Sequence, residues 1–277
     1  MDVVRISGWD GMSWLRHGFS TRNGGISTVY GGGSRGGTLN LGWTKEDDPE
    51  CVAENRRRLV EAVTGNKGAQ MRLVTVRQVH SGILRVIGLG DGAVEGRLET
   101  PQGKAVLEGD GLVTNVPGVL LAVGTADCVP VLVIDRAKRG VGAFHAGWRG
   151  TVERIVEQGI EAMRREYGSR AEDLEAAVGP SIGVCCYEVG DEVREKFDAE
   201  FDYGGELFRA DGGQMYVDLW EANRRQLLDA GVAAEKIAVV GECTACARDV
   251  GGARKYFSHR AESGVAGRML NVVGIAG

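Results

Sequence analysis

One cysteine and two histidines of this sequence stand at the ends of predicted strands, in settings that suit chemistry. Cys128 precedes one apolar run, His145 ends the next, and His80 follows an alternating segment. A thiolate and two imidazoles are ligands that proteins use for zinc or copper. We therefore interpret the three residues as a metal centre of an enzyme.

The elements around Cys128 and His145 predict how the two residues meet. Residues 129–134 and 141–144 read as strands, and 135–140 read as a turn. In an antiparallel hairpin, the start of the first strand and the end of the second lie at the same end of the sheet. We therefore expect Cys128 and His145 to be close in space.

The rest of the chain mixes helices with hairpin-like strand pairs, which favours an α+β fold over a doubly wound parallel sheet. Further strands are expected at 72–79, 119–123, 174–178, 237–240 and 269–275, and helices at 48–63, 151–167, 191–198 and 218–230. The glycine-rich segment 31–37 lacks the Gly-Lys-Ser/Thr ending of a phosphate-binding loop, so we predict a surface loop. Residues 1–277 are expected to form a single domain.

Composition narrows the classes of partner. The 277 residues carry a net charge of −5 with the two signs interspersed, which argues against nucleic acid and anionic membranes as partners. No apolar stretch is long enough to span a bilayer, and the N-terminus lacks the apolar core of a signal peptide. We therefore expect a cytoplasmic protein that acts on a small molecule, and no pattern indicates its oligomeric state.

Six cysteines fit a cytoplasmic chain with reduced thiols better than a disulfide framework. Cys243 and Cys246 form a C-x-x-C pair, and Cys185 and Cys186 are adjacent. A single C-x-x-C pair is a weak zinc signal, so we interpret these four as buried structural or packing thiols, with redox chemistry as the alternative.

Short motifs along nearly the whole chain resemble one family. They are Thr21-Arg22-Asn23-Gly24-Gly25-Ile26-Ser27, Leu39-Asn40-Leu41-Gly42, Gln78-Val79-His80, Ala126-Asp127-Cys128-Val129-Pro130, His145-Ala146-Gly147-Trp148-Arg149-Gly150, Gly179-Pro180-Ser181-Ile182-Gly183, Cys243-Thr244 and Phe257-Ser258-His259-Arg260. In this order they are similar to the YfiH family, also called the multicopper polyphenol oxidase (laccase) domain or peptidoglycan editing factor family. The glycine-rich segment is the main departure.

The resemblance implies a four-layer α/β/β/α sandwich with mixed sheets. It implies a metal site, usually zinc with copper as the alternative, at His80, Cys128 and His145. Members of the family are described as purine nucleoside enzymes. They phosphorolyse adenosine, inosine and methylthioadenosine, and they deaminate adenosine. Other members carry a copper-dependent laccase label, or a role in removing misincorporated L-serine from peptidoglycan precursors.

Charged residues in the matched motifs suggest roles around the metal. Asp127 is the nearest proton shuttle for deamination, or else a turn residue that caps backbone N–H groups. Arg22, Arg149 and Arg260 suit phosphate, because the guanidinium fork matches phosphate oxygens, and Asn40 suits the sugar or base. Structural ion pairs are the alternative for the three arginines.

Three other interpretations use the same residues. In the first, Cys128 is a nucleophile with His145 as its base. In the second, the trio is a structural zinc site with Cys185 or Cys186 as a fourth ligand. For laccase chemistry, the four histidines of the chain are too few to build a multicopper cluster. His17 and His259 are not assigned to the metal.

Overall fold

The computed structural model describes residues 1–31, 36–65 and 71–277, and its elements are dominated by β-strands. In these ranges the strands are β1 (Val3–Val4), β2 (Leu15–Ser20), β3 (Asn23–Gly25), β4 (Gly37–Thr38), β5 (Arg72–Val74), β6 (Leu84–Ile87), β7 (Gly111–Thr114), β8 (Val119–Thr125), β9 (Val129–Asp135), β10 (Val141–Ala146), β11 (Leu174–Val178), β12 (Glu188–Val189), β13 (Phe208–Asp211), β14 (Gln214–Val217), β15 (Ile237–Val239) and β16 (Met269–Ile275). The α-helices are α1 (Pro49–Thr64), α2 (Trp148–Val152), α3 (Ile155–Tyr167), α4 (Asp191–Glu200) and α5 (Leu219–Asp229).

Two large sheets are stacked face to face. The first has the strand order β1-β2-β16-β8-β5 and the second the order β15-β11-β9-β10-β7-β6. Most pairs are antiparallel, but β5 with β8, β6 with β7 and β11 with β15 are parallel, so both sheets are mixed. Smaller sheets join β12, β14 and β13, and β3 with β4.

Side chains that alternate along the strands explain the layers, because successive residues of a strand point to opposite faces. In β8, Val119, Leu121 and Val123 pack in the core between the two sheets. Leu120 and Ala122 lie in a separate core with Leu59 and Val63 of α1. In β9, Val131 and Val133 point the other way, into a core with α3, α4 and α5. The α/β/β/α order predicted above is confirmed.

The ends of α1 follow its sequence. Asp48 precedes the helix, and its carboxylate accepts a hydrogen bond of 2.8 Å from the N–H of Glu50. Pro49 occupies the first helical position, where the missing N–H costs nothing. These features account for the agreement between the predicted helix at 48–63 and the observed one.

Two predicted elements are wrong in extent. The helix expected at 151–167 is split into α2 and α3, because Arg154 adopts a left-handed conformation with a φ of 55°. This break leaves the carboxylate of Glu153 beside the loop of His80, where it accepts a hydrogen bond from the N–H of Gly82. The strand expected at 72–79 ends at Val74, and the predicted loop at 31–37 lies for its larger part outside the described residues.

Two connections carry the chain from the first sheet to the second at one end of the stack. One joins β5 to β6 and contains His80; the other joins β8 to β9 and contains Cys128. Both residues therefore lie where the sheets meet. Across the described ranges, no helix has the length and apolar character needed to cross a membrane.

Candidate active site

His80, Cys128 and His145 meet at this end of the sheets. Their ligand atoms all lie within 4.8 Å of one another, and the centroids of the two imidazole rings are 4.9 Å apart. The antiparallel hairpin of β9 and β10 brings His145 opposite Pro130, two residues after Cys128, so the two residues lie at the same end of the sheet, as predicted. His145 is buried, Cys128 is half-buried and His80 is exposed.

The buried carboxylate of Asp110 fixes both histidines. Its Oδ1 atom is 2.8 Å from Nδ1 of His145 and accepts a hydrogen bond of 3.1 Å from the N–H of His80. Its Oδ2 atom accepts hydrogen bonds from the N–H of Val79 and from both the N–H and the hydroxyl of Ser81. Nδ1 of His145 is thereby occupied, which leaves Nε2 as the ring nitrogen free to contact a ligand.

His80 has a φ of 60°, a left-handed conformation that costs a residue with a side chain about 1–3 kcal/mol. The hydrogen bonds that three successive N–H groups donate to Asp110 offset that cost. Gln78 anchors the same loop from the other side: its side chain donates to the carbonyl of Gly124 and accepts from the N–H of Gly124.

Gly147 leaves room for the side chains of Cys128 and His80. A Cβ atom at this position would lie 3.0 Å from Sγ of Cys128 and 3.5 Å from Cδ2 of His80. A larger residue would push the thiolate and the imidazole apart. The glycine in the His145 motif is therefore explained by close approach to the site.

The charges of the trio stabilise each other. Burial raises the pKa of the Cys128 thiol, but the charge of His145 and hydrogen bonds from both histidines outweigh it and lower the pKa to about 6. Burial lowers the pKa of His145, but the thiolate of Cys128 and the carboxylate of Asp110 raise it to about 9. Burial likewise opposes ionisation of Asp110, yet hydrogen bonds from His145 and Ser81 lower its pKa to about 2. At neutral pH the metal-free site is a thiolate–imidazolium pair.

The trio opens into a cavity of about 720 Å³. This volume lies in the usual range of about 300–1,000 Å³ for small-molecule sites. Five basic side chains line it, from Arg56, Arg77, Lys104, Arg260 and Arg268, whereas Asp127 supplies the one carboxylate among the described lining residues. Trp43, Tyr187 and His259 add aromatic surface. The cavity therefore suits an anionic or phosphate-bearing ligand with a flat ring.

Two predicted substrate contacts are wrong. Arg22 is 1% exposed, and its guanidinium donates to Glu262 at 3.1 Å and to the carbonyl of Gly31 at 2.6 Å. Asn40 is completely buried, and its amide donates to Asp47 at 2.7 Å while its oxygen accepts from the N–H of Arg268. Both side chains are buried against internal partners, and Asn40 holds the backbone of Arg268, a residue that lines the cavity.

Of the other predicted residues, Arg260 and Asp127 line the cavity and Arg149 does not. Arg260 lines the cavity, with its guanidinium 5.4 Å from the ring centroid of Tyr187 and hydrogen-bonded to the carbonyl of Glu188. Arg149 is exposed and lies over the ring of Trp148, outside the described lining of the cavity. Asp127 lines the cavity, but Thr244 and the N–H of Arg260 both donate to its carboxylate at 2.7 Å.

Sequence reasoning missed Asp110 and most of the basic lining. Asp110 stands in Gly109-Asp110-Gly111 immediately before β7, and an acidic residue directly before a buried strand was the available signal. Arg56 lies on α1 and Arg268 directly before β16, so only the folded chain brings them together. Cys185 and Cys186 lie with Cys243 and Cys246, separate from the trio, which removes them as its fourth ligand.

Replacing Asp110 with asparagine tests its role as the residue that positions the ligands. Asp110→Asn removes the negative charge facing His145 and turns one of the accepting atoms into a donor. We expect metal affinity at the trio to fall about 10–100-fold, as for other outer partners of metal-bound histidine. Competition with a chelator, followed by metal analysis, measures the change.

Asp135→Asn is the matched control, because Asp135 is also fully buried but ends β9 at the opposite end of the hairpin. Its metal affinity should equal that of the parent protein. An Asp110→Asn variant that is folded and binds metal with parental affinity would contradict the positioning role.

The lowered pKa of Cys128 predicts the pH dependence of its alkylation in metal-stripped protein. The thiolate reacts, so the rate should be level above pH 6 and fall about tenfold per pH unit below it. Cys51 is an internal control, because burial and neighbouring carboxylates raise its pKa, and its rate should still increase above pH 8. Peptide mass spectrometry resolves the two cysteines. Parallel profiles for Cys51 and Cys128 would refute the ion pair.

Comparison with known proteins agrees with this architecture. The family model described as multi-copper polyphenol oxidoreductase laccase matches residues 16–276. A purine nucleoside phosphorylase of Deinococcus radiodurans is 40% identical over 260 residues, covering 94% of this chain and 88% of that protein. A protein named adenosine deaminase RL5, from an unknown prokaryotic organism, is 42% identical over 177 residues, 63% of this chain and 66% of that protein.

A solved structure extends the similarity to three dimensions. The crystal structure of the hypothetical protein YfiH of Bacillus licheniformis matches with a TM-score of 0.83 and 31% identity, covering 98% of this chain and 96% of that one. The matched residues include strands of both large sheets and all three residues of the trio. The chain therefore belongs to the multi-copper polyphenol oxidoreductase laccase family.

Proposed function

We propose that this protein is a zinc-dependent purine nucleoside enzyme. It phosphorolyses adenosine, inosine and methylthioadenosine, and it deaminates adenosine. The observation that carries the proposal is the position of an N₂S ligand set on the wall of a cavity lined by basic and aromatic side chains. Relatives named purine nucleoside phosphorylase and adenosine deaminase support the choice of substrate.

The donor set fits zinc. Imidazole and thiolate are both ligands that zinc accepts, and catalytic zinc sites hold the ion with three protein ligands and keep a fourth position open. His80, Cys128 and His145 would hold the ion, with Asp110 fixing the two histidines. When bound, zinc supplies a Lewis acid that lowers the pKa of a water molecule. Copper would also bind this set, because it outcompetes zinc at most nitrogen and sulfur sites.

The basic side chains would bind phosphate. Arg260 and Arg268 present guanidinium groups, which match phosphate oxygens in pairs, and Lys104 adds a point charge. Arg260 is oriented by Tyr187 and by the carbonyl of Glu188. The same charges would stabilise the phosphate as it attacks C1′ of the ribose and the base leaves.

The aromatic surface would bind the purine. Trp43 is fixed by its indole N–H, which donates to the carbonyl of Gly103 at 3.0 Å, and by the guanidinium of Arg56 over its ring. Burial raises the pKa of Tyr187 to about 12, so its hydroxyl stays protonated and available as a hydrogen-bond donor at neutral pH. A flat base fits such walls through stacking.

Asp127 is our candidate for proton transfer in deamination. Asp127 lines the cavity beside Cys128, and two hydrogen bonds from Thr244 and Arg260 hold its carboxylate in place. A fixed carboxylate at this position is able to accept a proton from the attacking water and pass it to the leaving amine. Its alternative role is to cap the turn between β8 and β9.

The decisive experiment is product chromatography with metal-quantified protein and adenosine. Phosphorolysis is expected to give adenine and ribose 1-phosphate only when phosphate is present, and deamination to give inosine with or without phosphate. Arg260→Ala should raise the KM for phosphate about tenfold or more, because a hydrogen bond to a charged group contributes about 1.5–3 kcal/mol. The KM of Arg260→Lys for phosphate should lie between those of the parent and Arg260→Ala, because lysine keeps the charge but lacks the forked guanidinium.

Arg209→Ala is the matched control, since Arg209 is an exposed arginine of β13 that pairs with Asp211. Its kinetic constants should equal those of the parent. The nucleoside proposal fails if zinc-loaded protein releases neither adenine nor inosine. Release of L-serine from a serine-containing peptidoglycan precursor would then support the editing function.

Phenol oxidation by zinc-loaded protein should be negligible. All four histidines lie in the described ranges, and His80, His145 and His259 line the cavity, whereas His17 is buried beside Trp9. Burial and the charge of Arg5 lower the pKa of His17 to about 4, and its Nε2 accepts the N–H of Ile6. Oxygen uptake with a phenol should increase only after copper loading. Rapid turnover with zinc alone would contradict our assignment.

A further inference from the structure

Four cysteines outside the trio form a second cluster. Cys185 and Cys186 come from the turn before β12, and Cys243 and Cys246 from the turn after β15. Their four Sγ atoms all lie within 4.8 Å of one another. The predicted burial of these structural or packing thiols is wrong for Cys185 and Cys246, which are exposed. An exposed thiol gains little from packing, so the convergence of four sulfurs needs another cause.

We propose that Cys185, Cys186, Cys243 and Cys246 bind a second Zn²⁺ ion, which is structural and separate from the trio. Four protein ligands around one zinc are the usual composition of a closed structural site. This inference goes beyond the catalytic proposal and does not depend on it.

The spacing of the sulfurs is compatible with tetrahedral thiolate coordination, because all four Sγ atoms lie within 4.8 Å of one another. Sulfurs about 2.3 Å from a central zinc ion lie about 3.8 Å from each other. Sγ of Cys185 is 3.8 Å from Sγ of Cys246. A disulfide requires about 2.05 Å, and the cysteines are free. The cluster therefore has the dimensions of a metal site rather than of a pair of disulfides.

The turn of Cys185 and Cys186 explains how two adjacent residues face one ion. In a strand, neighbouring side chains point to opposite sides. Here the N–H groups of Cys186 and Tyr187 both donate to the carbonyl of Gly183, which curls the chain. Both sulfurs are thereby turned towards Cys243.

The surroundings of Cys243 suit a metal-bound thiolate. Its Sγ atom accepts a hydrogen bond of 3.3 Å from the N–H of Gly183, and the N–H groups of Ala245 and Cys246 also point at it. Amides aimed at sulfur stabilise the negative charge that four thiolates bring to one ion. Arg254 donates to the carbonyl of Ala245 at 2.6 Å and places a positive charge at the same turn.

A metal at this cluster would fix one wall of the cavity. Thr244, between the two cysteines of the C-x-x-C pair, donates to the carboxylate of Asp127 at 2.7 Å. Tyr187, which follows Cys186, lines the cavity directly. Joining the two turns through zinc would hold Asp127 and Tyr187 at fixed positions relative to Cys128.

Zinc content of purified variants tests the proposal without any substrate, so its failure is distinct from failure of the nucleoside function. Parent protein should hold about two zinc ions per chain and Cys128→Ser about one. Cys185→Ser with Cys246→Ser should also hold about one, and the three changes together about none. Cys51→Ser is the matched control, because Cys51 lies outside both clusters, and should retain the parental content.

A second measurement leaves the four cysteines intact. Cobalt added to metal-stripped Cys128→Ser protein should give the intense charge-transfer and visible bands of tetrahedral thiolate coordination. The proposal is overturned if Cys128→Ser binds neither zinc nor cobalt, if it binds iron instead, or if mass spectrometry finds a disulfide within the cluster.

Discussion

The candidate active site depends on the hydrogen bonds that the buried carboxylate of Asp110 accepts. This carboxylate accepts hydrogen bonds from three successive backbone N–H groups at residues 79–81 and from the imidazole of His145. A buried charge is stable only when it is fully hydrogen-bonded, and this one is satisfied by the very groups that must converge. The energy that keeps Asp110 ionised therefore also keeps His80 and His145 in place.

The stacked sheets supply the geometry that Asp110 completes. His80 and Cys128 lie on two connections that leave the first sheet and enter the second, while His145 ends a strand inside the second. The cores on either side of β8 and β9 fix where those strands end. Gly147 then permits close contact, because the absence of a Cβ atom lets the Cys128 thiol and the imidazole of His80 come together.

The sequence predicts features that depend on local pattern. Strand ends and the hairpin register place Cys128 beside His145, and capping residues define α1, because these signals act within a few positions. Arg22 and Asn40 show the limit: a polar residue in a motif serves a ligand or an internal partner, and only burial distinguishes the two. The partners of Asp110 and the meeting of the two cysteine pairs are contacts between distant segments, so a local pattern marks the residues but not what they contact.

Asp127 connects the two candidate metal centres. It follows β8, precedes Cys128 in the chain, and adopts a φ of 95°, so its backbone is strained and needs support. Its carboxylate receives that support from Thr244 of the cysteine cluster and from the N–H of Arg260, a cavity residue. The turn that contains Cys128 is therefore held both by the C-x-x-C turn and by the backbone of Arg260, a basic residue of the cavity. Loosening the two cysteine-containing turns would disturb the Cys128 thiolate, the Asp127 carboxylate and Arg260 together. None of these three groups belongs to the four-cysteine cluster.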